Sequence, residues 1–214
     1  MIEAEVKIPV DNVVVGGNLT IPQNALGLVL FAHGSGSSRF SPRNKYVSKL
    51  FVNSHIGTLL FDLLTSKEEQ EDEFTAEYRF NISLLATRLV GATNWLKKDS
   101  RANKLHVGYF GASTGAAAAL IAAAKLAGDI STVVSRGGRP DLAEDYLPKV
   151  KAPTLLLVGG LDTEVIELNK QAMAQMTAET KLVIIPGATH LFEEPGKLEE
   201  VAKISTDWFI RYLR

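Results

Sequence analysis

The chain has 214 residues, 46% of them hydrophobic and 22% charged, with a formal net charge of −1 and no cysteine. That length and mix suit one globular α/β domain with a full-sized core. The near-neutral charge gives no electrostatic case for nucleic acid or an anionic membrane as partner, and the lack of cysteine excludes disulfides, thiolate metal sites and a cysteine nucleophile.

The first residues, Met1-Ile2-Glu3-Ala4-Glu5, lack the basic and then apolar order of a signal peptide. No uncharged apolar stretch reaches membrane-spanning length, so a cytoplasmic location is expected by default. Residues 4–10 and 13–21 read as two strands joined at Asp11-Asn12. Residues 27–32 read as a buried strand ending at His33-Gly34, 42–53 as a helix, and 56–61 as a strand ending at Asp62. Residues 67–73, six of seven charged, read as a solvated acidic loop. Phe74, Tyr78, Ile82, Leu85, Leu89, Ala92 and Trp95 recur every three or four residues, which predicts one long helix. Glu73 and Glu77 near its start and Lys97 and Lys98 near its end suit the helix dipole.

Strand, turn and alanine-rich helix follow over 105–127, then a strand at 130–135 and a short helix after Pro140. A strand at 154–158, a helix at 164–176, a strand at 181–185 and a final helix from Lys197 complete the chain. Apolar strands alternating with amphipathic helices predict a mostly parallel central sheet covered on both faces, with the 4–21 segment as an antiparallel edge. The interval before the 154–158 strand is short. A single domain over 1–214 without a large cap is expected, with only 137–151 available as a small lid.

The chemistry is carried by Gly111-Ala112-Ser113-Thr114-Gly115, a G-x-S-x-G run between the strand and the alanine-rich helix. A serine on so sharp a turn is exposed in a strained backbone, and its neighbours must be glycine where side chains would strike nearby backbone. A serine hydroxyl needs a base, and the base needs an orienting group. Asp162 follows the 154–158 strand and His190 follows the 181–185 strand. Each lies past the carboxyl end of its strand, the edge where open α/β sheets bind ligands. Glu164 is a second candidate for the acid, and Asp162 could instead cap the helix beside it.

For the oxyanion, one backbone donor is expected from the N–H of Thr114 and another from the 33–38 loop at Ser35. That loop lacks the third glycine of G-x-G-x-x-G, and no phosphate-binding G-x-x-x-x-G-K-[ST] run occurs. His33 reads as a structural hydrogen-bonder, and Asp62 as a partner for Arg39 or Arg79. Arg136, just past a strand end and followed by Gly137-Gly138, is a candidate substrate-binding residue able to swing over the mouth and grip a carboxylate, with an internal or surface role as the competing reading.

The elbow, the Gly160-Leu161-Asp162 turn, Thr189-His190, the order serine, aspartate, histidine and the His33-Gly34 loop resemble the α/β-hydrolase superfamily. Within it the short chain resembles the compact dienelactone-hydrolase-like group. Dienelactone hydrolases proper carry cysteine at the elbow where this chain has Ser113. The resemblance therefore implies an α/β-hydrolase fold and a serine esterase or acyl hydrolase acting through an acyl-enzyme on a small-molecule ester or thioester, without metal or organic cofactor. A cofactor-free peroxidase or acyltransferase using the same residues, and a low-turnover small-molecule receptor on the same fold, are the alternatives. The oligomeric state is left open.

Overall fold

The computed structural model describes residues 1–213. Strands β1 (Ile2–Val10) and β2 (Val13–Ile21) form an antiparallel hairpin turning at Asp11, which adopts φ 48°. Val6, Ile8 and Val10 are buried while Lys7 and Pro9 between them are exposed, so the hairpin covers the core with one face only.

The remaining strands are β3 (Gly27–Ala32), β4 (Ile56–Phe61), β5 (Val107–Ala112), β6 (Ile130–Arg136), β7 (Thr154–Gly159) and β8 (Thr180–Ile185). They form one eight-stranded sheet in the order β1-β2-β4-β3-β5-β6-β7-β8. β2 meets β4 antiparallel, and every pairing from β4 to β8 is parallel. β3, β4, β5 and β7 are buried along their whole length, because helices lie on both faces. The expected α/β-hydrolase architecture, mostly parallel with an antiparallel N-terminal edge, is the one observed.

The helices are α1 (Pro42–Asn53), α2 (Ser66–Thr75), α3 (Ile82–Leu96), α4 (Thr114–Lys125), α5 (Thr163–Met173) and α6 (Lys197–Tyr212), with a 3-10 segment at Pro140–Lys149 between β6 and β7. Alternation along β3 divides the core. Leu28, Leu30 and Ala32 pack with the hairpin, α3 and α4, while Val29 and Phe31 pack with α1 and α6. On the second face Phe31, Phe51, Phe110 and Phe209 form a chain of ring contacts with centroids 5.0 to 5.7 Å apart. Each such buried ring stabilises by about 1.5–3 kcal/mol relative to exposure.

The expected long helix is two helices. α3 begins at Ile82, where Asn81 accepts the N–H of Leu84 as an N-cap. Phe74 belongs to α2 and is 89% exposed, so the three-four spacing of Phe74 and Tyr78 was coincidental. The acidic run is α2 itself, not a loop. Thr65 and Glu68 form a reciprocal capping box, and Glu68 and Glu69 lie at the favourable end of the dipole. The break has a local cause. The buried carboxylate of Asp72 accepts the N–H groups of Tyr78 and Arg79 and the Arg79 guanidinium, folding the chain back at Ala76 in a left-handed conformation.

Candidate active site

β5 runs into α4 at Ser113, which takes φ 49° and ψ −122°. This backbone costs about 1–3 kcal/mol for a residue with a Cβ. The surroundings enforce it: Ser113 donates its N–H to Arg136 O at 3.3 Å, and its carbonyl accepts from Arg139 at 3.1 Å. The two glycines of the motif are steric requirements. A Cβ at 115 would lie 2.1 Å from Ala32 O, and one at 111 would lie 2.5 Å from the Cα of Ala116. Ten consecutive small or apolar positions, Thr114 to Ala123, are buried, which lets α4 sit close on the sheet behind the serine. Ser113 makes no capping bond with its side chain.

His190 and Asp162 meet across 28 residues of chain. Asp162 Oδ2 accepts a hydrogen bond from His190 Nδ1 at 2.6 Å. A carboxylate only accepts, so the proton is on Nδ1 and the Nε2 lone pair is left for another donor. Asp162 occupies the N-cap position of α5 but makes no capping bond with its side chain. Glu164 is exposed, and the carboxylate beside the histidine is that of Asp162. Gly137 lies against His190: a Cβ there would stand 2.9 Å from its carbonyl oxygen and 3.6 Å from Nδ1.

The loop after β3 adjoins the serine. A Cβ at Gly34 would come 3.1 Å from Ser113 Cβ. Ser35 Oγ and Thr114 Oγ1 are hydrogen-bonded at 3.0 Å, and Ser35 Oγ donates to Arg79 O at 3.3 Å. Behind them His33 is buried. Its Nδ1–H donates to Gly34 O at 3.1 Å and its Nε2 accepts the Leu63 N–H at 3.0 Å. Burial pulls its pKa below the usual value, opposed by the Gly34 carbonyl and the Asp62 charge. Asp62 pairs with Arg39 at 3.0 Å, and Arg79 pairs with Asp72.

The same loop and α2 enclose a cleft of about 340 Å³. Phe40, Leu63, Leu64 and Leu85 supply apolar lining, and Glu69 and Glu73 supply carboxylates. The Glu69 carboxyl is pushed above its ordinary pKa, first by burial and then by the charges of Asp62, Glu73 and Asp72.

Arg136 is buried, 7% exposed, against the loop that follows His190. Its Nη1 donates to Leu191 O at 3.4 Å, its guanidinium carbon stands 5.9 Å from the centre of the Phe192 ring, and its Nε has no hydrogen-bond partner. Burial, then the neighbouring Arg43 charge, lowers its pKa to about 10. It is not poised to swing over the mouth, because its strand direction carries it down into the α1 and α6 face.

The sequence reading missed what holds the histidine loop. Glu194 accepts the Thr189 N–H at 3.1 Å and the Thr189 hydroxyl at 2.5 Å, closing a five-residue staple around His190, and Arg43 pairs with Glu193 at 2.6 Å. A threonine before the histidine with a glutamate five residues on was the available signal. Among the described residues no cluster of three or more His, Asp or Glu has metal-binding geometry, and no helix is long and apolar enough to cross a membrane.

Known proteins share this fold. A crystal structure of dienelactone hydrolase from Anabaena variabilis ATCC 29413 is 56% identical, superposes with a TM-score of 0.98, and is covered over 99% of its length by all of this chain. The esterase domain of a Rhodothermus marinus protein, 18% identical with a TM-score of 0.75 over the full length of both chains, shares the fold. A Mycobacterium tuberculosis protein with a provisional phosphoribosyl transferase name is 53% identical over 211 residues, 99% of this chain. This chain spans about half of that relative, 47% of its length. The dienelactone hydrolase family model matches residues 60–212, from β4 through α6, and the chain belongs to that family of α/β-hydrolases.

Proposed function

We propose that the chain is a serine hydrolase that cleaves carboxylic ester or thioester bonds through an acyl-enzyme. The observation that carries the reading is the 2.6 Å bond from His190 Nδ1 to Asp162, made at the same sheet edge as the strained Ser113 elbow. Ser113 Oγ adds to the substrate carbonyl while its proton passes to His190 Nε2, and Asp162 stabilises the imidazolium. The carbonyl oxygen becomes an oxyanion held by the N–H groups of Ser35 and Thr114. Thr114 is the first residue of α4, so its N–H has no acceptor within the helix. The tetrahedral species collapses, the C–O or C–S bond breaks, and the imidazolium gives its proton to the leaving group. Water then repeats the sequence, with His190 as base, and releases the acid and free Ser113.

The substrate is a small molecule, and the cleft beside the 33–40 loop is where its larger part sits. No step calls for a cofactor. The Mycobacterium relative is about twice as long as this chain, and the hydrolase reading is made only for the part that this chain spans.

A fluorophosphonate probe tests the reading. It should label the wild type and fail on Ser113→Ala, with hydrolysis of p-nitrophenyl acetate lost in parallel. Labelling that persists in Ser113→Ala identifies another nucleophile. Turnover that requires peroxide, or an alcohol acceptor in place of water, would move the chain to the peroxidase or acyltransferase reading.

A further inference from the structure

The two residues whose N–H groups face the oxyanion in the hydrolase reading are also joined through their side chains. Ser35 Oγ lies 3.0 Å from Thr114 Oγ1. Ser35 Oγ also donates to Arg79 O at 3.3 Å. A hydroxyl has one proton. With the Ser35 proton committed to Arg79, the Thr114 hydroxyl must be the donor to Ser35 Oγ. The direction of the chain is therefore fixed: Thr114 O–H to Ser35 O–H to the Arg79 carbonyl.

Its far end is anchored. The N–H of Arg79 is held by Asp72 at 3.0 Å, and Asp72 is only 3% exposed. Its near end is Thr114, 4% exposed, on the first turn of α4. Ser35 itself lies on a loop, in a turn closed by Ser37 N–H to Gly34 O at 3.2 Å. A loop residue tied by its side chain to the elbow cannot drift from it.

Resting on the serine-hydrolase reading, we propose that the Ser35 and Thr114 hydroxyls are positioning groups that lock the two oxyanion donors at a fixed separation. Neither hydroxyl touches the reacting atoms. Preorganised donors stabilise developing charge without reorganising at the moment of reaction, and their value depends on their placement relative to the oxyanion, not to the ground-state carbonyl. The lock should therefore act on kcat and leave substrate binding alone.

The test compares Ser35→Ala, Thr114→Val and the double variant with p-nitrophenyl acetate as substrate and phenylboronic acid as the tetrahedral mimic. Each single variant should lose roughly three- to tenfold in kcat, the size of one modest hydrogen bond, with KM changed less than twofold. Phenylboronic acid should weaken by the same factor as kcat falls. The double variant should be no worse than the worse single, because Ser35→Ala already removes both bonds of the chain and Thr114→Val removes one of the same two. Thr114→Ser and Ser35→Thr keep the hydroxyl and should recover most of the rate.

A purely structural role would lower thermal stability and raise KM without matching losses in kcat and boronate affinity, and that result overturns the proposal. So does a double variant whose loss is the product of the two singles. Should Thr114→Val fail to fold, the Ser35→Ala result decides alone. Wild-type protein without Ser113-dependent turnover would sink the hydrolase reading itself, whereas normal turnover unchanged in Ser35→Ala sinks only the lock.

Discussion

The two flanks of Ser113 place their charged groups differently, one in the interior and one facing open space, and they use them differently. On the α1 and α6 side Arg136 is buried and Arg43 partly so, with Glu193 the carboxylate bound to Arg43. On the α2 side the cleft presents Glu69 and Glu73, and the charged neighbours that act on Glu69 are all carboxylates. The buried cation meets backbone and a ring: Leu191 O and Phe192. It acts on the loop that carries His190. The carboxylates line open space and act on whatever enters it. Charge locked in the interior shapes a site, and charge left facing solvent selects for it.

The largest effect expected comes from the histidine side. On the serine-hydrolase reading, Asp162→Asn should keep the loop geometry but favour the wrong tautomer of His190, lowering kcat on the order of 10⁴-fold, as the same change does in serine proteases. Glu164→Gln should change kcat less than twofold, since Glu164 is exposed and does not touch His190. Reversed results in a kcat comparison of the two variants would reassign the acid.

Arg136 gives the next contrast. As a buried clamp on the histidine loop it should, when replaced by alanine, depress turnover of acidic and neutral esters equally. Direct recognition of a substrate carboxylate would instead open a gap of about tenfold or more between them in kcat/KM, the worth of a charge-assisted hydrogen bond. Measuring both ester types on Arg136→Ala separates the two roles.

Which parts were legible in the sequence follows the same division. The sheet, the elbow and the Asp162–His190 pair were readable because they depend on chain-local patterns: apolar strands ending in loops, and glycines forced by backbone contacts as short as 2.1 Å. The 66–81 region was misread because a buried polar contact, Asp72 with Arg79 seven residues on, overrides the apolar periodicity of Phe74 and Tyr78 and leaves no apolar signal of its own. Arg136 was placed at the right strand end, but its direction depended on strand register. Its neighbour Ser135 packs against the α4 side, where a Cβ on Gly138 would touch Ser135 Oγ, and residue 136 therefore points to the opposite face. The cleft needed α2 to be a helix, which an acidic run without apolar periodicity does not announce.

His33 connects the cleft side to stability. Its folded pKa is lowered from 6.5 by burial, so the unfolded chain binds the proton more readily. Above the unfolded value both states are neutral and the residue has no pH effect. As pH falls below 6.5 the unfolded state gains protons first, and stability falls by up to about 1.4 kcal/mol per pH unit until the folded pKa is reached. Urea unfolding at pH 7, 6 and 5 should show this excess slope in the wild type and lack it in His33→Gln, which can still accept the Leu63 N–H. Parallel slopes in the two proteins would mean that His33 is not neutral by burial.

The smallest effect tests the selecting flank. Glu69 and Glu73 stand four residues apart on α2, and Glu69 is partly withdrawn from water. An anionic ester entering the cleft meets their potential, while Arg39 and Arg79 are already engaged by Asp62 and Asp72. Two charges about 4 Å apart interact by about 1 kcal/mol where water screens them as fully as in bulk, the regime of an open cleft, and salt at about 0.15 M screens them beyond roughly 8 Å. Glu69→Gln with Glu73→Gln should therefore raise kcat/KM for a succinate half-ester about two- to fivefold relative to the matching neutral butyrate ester. Added salt should narrow the wild-type gap between those esters and leave the variant's gap nearly flat. Protonation gives a second handle. The raised pKa of Glu69 means that lowering the pH toward the upper end of the carboxylate range neutralises it before ordinary glutamates, and the penalty on the anionic ester should shrink there first. An ester ratio that ignores the double substitution, salt and pH alike would show that the substrate does not enter this cleft, and would return the acidic face of α2 to a plain solvated surface.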